Sequence, residues 1–168
     1  MALPKAKKAR ELIAYLAIRP NLPVSRSHLA ALLWPDSESS TARFNLRQML
    51  TRLRREAGEL ATHLSSPDGE SLYFADEGCW IDANEFRRLT PNSPERAVAI
   101  YGGPFLEEMD AEWLRLERAE IEGLYVEALA SLAVSATPKD RVGLLRKAIA
   151  ADPFREALQQ SLIRTLAE

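Results

Sequence analysis

The sequence predicts a mainly α protein: a winged helix-turn-helix with a small β-hairpin wing, followed by an all-α, tetratricopeptide-like helical domain. Three observations predict it. Before residue 60, apolar residues recur at helical spacing in successive short segments broken by proline. The period then changes to short extended runs around Pro67-Asp68-Gly69. After the Pro-rich stretch 90–94 the helical period returns and holds, with helices joined by Thr-Pro and Asp-Pro turns.

Residues 5–18 read as a first helix with Ala9, Leu12, Ile13 and Leu16 inside. Lys5, Lys7, Lys8 and Arg10 crowd its start, where positive charge opposes the helix dipole and nearby phosphate would offset the cost. Pro20 and Pro23 end it. Ser25 is a good N-cap for a second helix, with Val24 as a hydrophobic staple. His28, Leu29, Leu32 and Leu33 follow before Trp34-Pro35-Asp36 halts it. The loop 37–40 leads to a third helix, 40–57, capped by Ser40 or Thr41 and stopped by Gly58.

Beyond it, 62–66 and 71–75 are expected to pair as a hairpin across Pro67-Asp68-Gly69-Glu70. A third short strand is expected at Cys79-Trp80-Ile81, after a turn at Asp76-Glu77-Gly78. Residues 82–89 begin another short helix, and Thr90-Pro-Asn-Ser-Pro94 reads as the linker. The expected domains are therefore 1–89 and 95–168. In the second, helices are expected over 96–101, 112–134, from Pro138 to Asp152, and from Pro153 onward. The long helix carries Trp113, Leu116, Ile121, Leu124, Tyr125, Ala128, Leu129 and Leu132, and the next carries Val142, Leu145, Ala148 and Ile149. The last carries Ala157, Leu158, Leu162, Ile163 and Leu166, of which Leu162 and Leu166 need cover.

The third helix holds the most chemistry. Ala42, Leu46, Met49, Leu50, Leu53 and Ala57 form its inner stripe. Phe44, Arg47, Gln48, Thr51, Arg52 and Arg55 point away from that stripe, with Asn45 and Arg54 nearer its edges. Guanidinium and amide groups can bond guanine and adenine edges or phosphates. A solvated face usually mixes charge signs, and an exposed Phe44 is unusual there. Charge distribution agrees. The net charge is −2, but through residue 60 there are 11 Lys/Arg against 5 Asp/Glu, and from 61 onward 11 against 19, balances of +6 and −8. A cationic half suits a polyanion, and an anionic half keeps off it. The hairpin tip, with Asp68 and Glu70, is not expected to touch DNA.

Composition excludes other classes. An apolar fraction of 46% and a charged fraction of 27% are those of a soluble globular chain. No apolar run approaches a membrane span, so no membrane partner is expected. Cys79 is the single cysteine, which rules out an internal disulfide and fits a cytoplasmic location. His28, His63 and Cys79 have no partner at ligand or nucleophile spacing. No catalytic group, cofactor or metal is expected.

These pieces resemble a known family. Lys8-Ala-Arg-Glu-Leu-Ile-Ala-Tyr-Leu-Ala17, Pro23-Val-Ser-Arg26, Leu29-Ala-Ala-Leu-Leu-Trp-Pro-Asp36 and the segment 45–55 are similar to the DNA-binding domain of the SARP-type bacterial transcriptional activators. Ala97-Val-Ala-Ile-Tyr-Gly-Gly-Pro-Phe-Leu106, Trp113, Arg118, Tyr125 and the segment 144–156 are similar to the family's bacterial transcriptional activator domain. The resemblance implies an OmpR-like winged helix and a tetratricopeptide-like domain. It also implies binding to direct repeats in double-stranded DNA near promoters, recruitment of RNA polymerase, and homodimers or side-by-side pairs on DNA. Carried onto this chain, the contact residues are Arg43, Phe44, Asn45, Arg47, Gln48, Thr51, Arg52, Arg54 and Arg55, with Lys7 and Lys8 on the first helix. The family begins with a small antiparallel sheet, and only residues 1–5 precede the first helix here, so that sheet is expected to be missing.

A second class of function stays open on the residues alone. The chain could be a helical-repeat adaptor, or a piece of a larger signalling regulator, with little DNA binding of its own. The acidic hairpin and the missing sheet favour it. The arginine face and the charge split together favour DNA.

Overall fold

A computed structural model describes residues 4–167. The chain is mainly helical with one small three-stranded sheet, and it divides into two compact units between Ile81 and Asp82. The residues expected to lack the family's leading sheet, 1–5, fall partly outside the described ones.

The first unit runs α1 (Lys7–Ala17), β1 (Val24–Ser25), α2 (Arg26–Leu33), α3 (Ser39–Glu56), α4 (Glu59–Thr62), β2 (Leu64–Ser65) and β3 (Ser71–Phe74). The apolar spacing works as read: Ala9, Leu12, Ile13 and Leu16 of α1 and Ala42, Leu46, Leu50 and Leu53 of α3 are buried. α2 packs chiefly against α3. α3 starts one residue early, with Glu38 at the capping position and no side-chain cap, so Ser40 and Thr41 lie inside the helix. Gly58 ends it with a φ of 49°, a conformation that glycine adopts without steric cost.

The strands differ from the expected ones. Val24 opens a strand, β1, that the sequence reading did not include, paired with Leu72 of β3. Ser25 serves twice, pairing with Ser71 and capping α2 by accepting the His28 N–H at 3.2 Å. Leu64 and Ser65 pair with Phe74 and Tyr73, giving the antiparallel order β1-β3-β2. Cys79-Trp80-Ile81 is not a strand. β3 has only two edges and both are taken, while the Cys79 N–H is spent on the Asp76 carbonyl at 2.8 Å. The hairpin itself forms as expected, with Gly69 at φ 74°. Its first strand is shorter than expected because Thr62 ends α4.

The second unit holds α5 (Asp82–Leu89), α6 (Pro94–Ile100), α7 (Leu114–Ser135), α8 (Pro138–Ala151) and α9 (Glu156–Ala167). Each helix packs against the next, and α5 also meets α7. Residues 82–89, expected with the first domain, therefore pack in the second. Phe86 lies 5.7 Å ring to ring from Tyr101, and Arg87 pairs with Glu117 and Glu120. The stretch 90–94, read as a linker, is a tight turn between α5 and α6: Asn92 and Ser93 donate to the Leu89 carbonyl at 3.0 and 2.7 Å.

In α7 the buried phase runs through Leu114, Ile121, Ala128 and Leu129. Leu116, expected inside, is 82% exposed. It follows Leu114 by two residues, about 200° around the helix, so it faces the opposite way. Arg118 gathers the preceding loop, donating to the carbonyls of Phe105, Leu106 and Met109. Tyr125 stacks on Tyr101 at 3.7 Å between ring centroids. Thr137 caps α8, accepting the Asp140 N–H and donating to its carboxylate at 2.7 Å. Val126, Leu129, Leu145, Ala148 and Leu158 form the core between α7, α8 and α9. On α9 the expected inner set holds for Leu158, and Leu162 is half-buried. Ile163 and Leu166 are exposed at 67% and 61%, and buried Thr165 takes the inner place near the end.

Candidate nucleic-acid interface

Burial of one stripe of α3 leaves the rest of that helix in water. Arg43, Phe44, Arg47, Gln48, Thr51, Arg52, Arg54 and Arg55 are exposed, and Asn45 is half-buried. Phe44 is 55% exposed, a cost in water that a contact surface would remove. On α1, Lys7 is exposed and Lys8 half-buried.

The polar groups on this face are mostly uncommitted. Among the described residues Arg43, Arg47, Arg52 and Arg54 form no ion pair. Arg55 meets Glu56 at 3.3 Å, but both side chains are largely exposed, and such pairs hold weakly in water. Thr51 donates its hydroxyl proton to the Arg47 carbonyl at 3.0 Å. It therefore offers outward only acceptor lone pairs and a methyl group.

These residues divide by direction. Phe44, Asn45, Gln48, Arg52 and Arg55 border a groove of about 800 Å³ between α3 and the start of α1, where Lys5 and Lys8 stand opposite. Arg43, Arg47 and Arg54 lie on the other flank of the helix, following from 100° per residue. Lys7 does not line the groove. Lys5, Trp34 and Met49 do, and Met49, expected on the inner stripe, is half-buried at the groove's edge. Trp34 follows α2 and Lys5 precedes α1, so only the packing of three helices brings them to α3.

Lys8 is tied to a residue the apolar pattern missed. Glu11 is 2% exposed, and Lys8 Nζ lies 3.0 Å from its Oε2. That oxygen is close enough for an ion pair but not aligned for a hydrogen bond.

The hairpin tip is held by its own acid. Asp68 accepts from the Ser71 and Glu70 N–H groups at 2.8 and 2.9 Å and from the Ser71 hydroxyl. The Ser71 N–H, the Ser71 hydroxyl and the Glu70 N–H hold its carboxyl below the usual value of 3.8. The hairpin is joined to α2 through Arg26, whose N–H donates to the Glu70 carbonyl and whose guanidinium donates to Ser66 Oγ at 3.1 Å.

One pairing corrects the sequence expectation. His63 and Cys79, read as unpaired, meet: Cys79 Sγ is 3.4 Å from His63 Nε2. His63 Nδ1 faces the Ala75 carbonyl at 2.8 Å, and the Cys79 sulfur sits beside the ring edge, 3.6 Å from the same nitrogen. The ring also stacks on Phe74, 5.3 Å between centroids. The pair lies where the chain leaves the hairpin, and the 16-position separation of its members hid it. Among the described residues no group of three potential metal ligands occurs, and no helix is long and apolar enough to cross a membrane.

No curated protein matches the sequence. The match that exists lies in the second unit, beginning at the residue where that unit begins. Residues 82–168, more than half of the chain, match the bacterial transcriptional activator domain, a regulatory rather than an enzymatic family. The chain belongs to the bacterial transcriptional activator domain family, with a role related to transcriptional activation.

Proposed function

We propose that this protein is a sequence-specific, double-stranded-DNA-binding transcriptional activator. In this reading the first unit is a winged helix-turn-helix of the OmpR-like kind, and α3 lies in the major groove. The second unit is a tetratricopeptide-like array that contacts RNA polymerase, and two copies sit side by side on direct repeats. The observation that carries it is the outer face of α3, where exposed arginines without ion pairs flank exposed Phe44 and Gln48. Arg47, Gln48 and Thr51 read bases, with Phe44 against a thymine methyl. Arg43, Arg52, Arg54, Arg55, Lys7 and Lys8 hold phosphates. That division follows the general split between specifying and positioning contacts. Selection of bound sites from a random duplex pool tests it. The expected result is an enriched motif repeated in one orientation. An unenriched pool would rule out specific recognition.

A second reading has its own support. Phe154, Ile163 and Leu166 expose apolar surface at the α9 end of the second unit, the usual mark of a protein contact. A protein-interaction module would use this surface and leave α3 idle. A gel-shift with promoter and random duplexes separates the two, since the module shifts neither.

A further inference from the structure

We infer that the groove between the start of α1 and α3 seats one sugar-phosphate strand of a duplex, while Arg43 and Arg54 on the far flank of α3 hold the opposite strand. The inference rests on the DNA reading above and specifies which strand each flank takes, adding Lys5 to the contact set.

Lys5, Lys8, Arg52 and Arg55 line one groove of about 800 Å³. Their mutual repulsion is only partly answered within the chain. Lys8 leans on Glu11 and Arg55 on Glu56, while Arg52 forms no ion pair among the described residues. The start of α1 adds to the positive field. Its N-cap, Ala6, supplies no side-chain hydrogen bond, and its first turn holds Lys7 and Lys8 and no acid. The unpaired N–H groups and the dipole there favour an anion, as do the lysines. The floor, with Ala9, Met49 and Leu53, is apolar and suits a deoxyribose edge better than bulk water.

Helix geometry then fixes the partner flank. Arg52 and the Arg43/Arg54 pair stand about 180° apart around α3. A helix with side chains is ~10–12 Å across, and the major groove of B-form DNA is ~12 Å wide. Cations on opposite flanks of a helix seated there face opposite strands. The arc between them carries Thr51, Phe44, Arg55 and Gln48, so Thr51 and Phe44 turn toward the base edges while Gln48 and Arg55 stand at the rim of the groove, between bases and backbone.

The test uses the full chain and a duplex from site selection, with neutral methylphosphonates replacing short runs of phosphates on one strand at a time. The variants are Lys5→Gln/Arg52→Gln and Arg43→Gln/Arg54→Gln, all on exposed side chains, each checked for an unchanged melting curve. Each double variant should weaken binding at least tenfold and lower the salt slope by roughly 2, about one per lost phosphate contact. Neutral linkages on one strand should then cost the Lys5/Arg52 variant nothing further while still costing the Arg43/Arg54 variant. The opposite strand should show the reverse. Lys5→Arg/Arg52→Lys should bind as the wild type does. Coupling of both variants to the same strand, or unchanged affinity after Lys5→Gln/Arg52→Gln, overturns the inference and leaves DNA recognition standing. Failure of the wild type to bind any duplex overturns both.

Discussion

Glu11 is the residue whose environment departs most from its chemistry. A carboxylate 2% exposed depends on Lys8 for compensation, and Lys8 itself is 40% exposed at its side chain. Removing one partner of a buried pair leaves a charge uncompensated, while replacing both with apolar groups is often neutral. Partial exposure of Lys8 moderates the loss. Lys8→Ala should therefore cost ~1–2 kcal/mol, and Lys8→Ala/Glu11→Leu should recover most of it, read from urea unfolding midpoints. Additive losses would show that the two do not interact. Asp68 makes the second residue-scale prediction. Its folded pKa lies below the unfolded value, so its contribution to the hairpin is complete above 3.8 and is lost as pH falls through the lower folded value. The Glu70 and Ser71 amide resonances should stay constant from neutral pH down to the usual carboxylate range and then move together, with a midpoint below 3.8. A midpoint at or above 3.8 would mean the turn does not stabilise the ionised form.

Helices here are set by their ends as much as by their stripes. Thr137 closes a reciprocal cap on α8, and α8 lies between α7 and α9 in the second unit's core. Thr137→Ala should lower stability by ~0.5–2 kcal/mol with an unchanged denaturant slope, and Thr137→Asn should restore most of it. For α3 the prediction concerns recognition. Gln48→Ala should relax preference at one base pair by ~1–3 kcal/mol, whereas Arg55→Ala should weaken all sequences alike. Site selection with each variant checks this, and an unaltered motif after Gln48→Ala would remove that residue from base reading. The stripes of α1 and α3, the Ser25 cap and the Thr-Pro start of α8 were legible because each depends on residues at most a few positions apart. The phase of α7 was legible through Ile121, Ala128 and Leu129, and only Leu116 near its start was misplaced. Leu116 lies about 200° around the helix from buried Leu114, and Arg118 beside it holds the preceding loop by its carbonyls.

At the scale of the whole molecule, the uneven charge governs behaviour. The balance is +6 through residue 60 and −8 beyond it. Seven cations assigned to phosphates, Lys5 included, at ~0.9 each, bound the slope of log affinity against log salt at about 6. Titration of DNA binding with salt should give a steep slope up to that limit, and a flat response would contradict the electrostatic part of the proposed function. Exposed apolar side chains on α9 add a separate, weakly salt-sensitive surface, so contacts made there should persist at ionic strengths that release DNA.

What the sequence determined by itself was local: helical periods, the Ser25 cap, the Thr-Pro start of α8, the Pro-Asp-Gly turn and the arginine-rich side of α3. Each follows from forces between near neighbours along the chain. The tertiary structure alone decided which strand takes the second edge of β3, that α5 packs with the later helices, and that His63 meets Cys79. It also decided that Glu11 is buried and that Lys5 stands across a groove from Arg52. These are outcomes of competition among distant segments for edges, space and charge, and no single stretch of residues carries the terms of that competition.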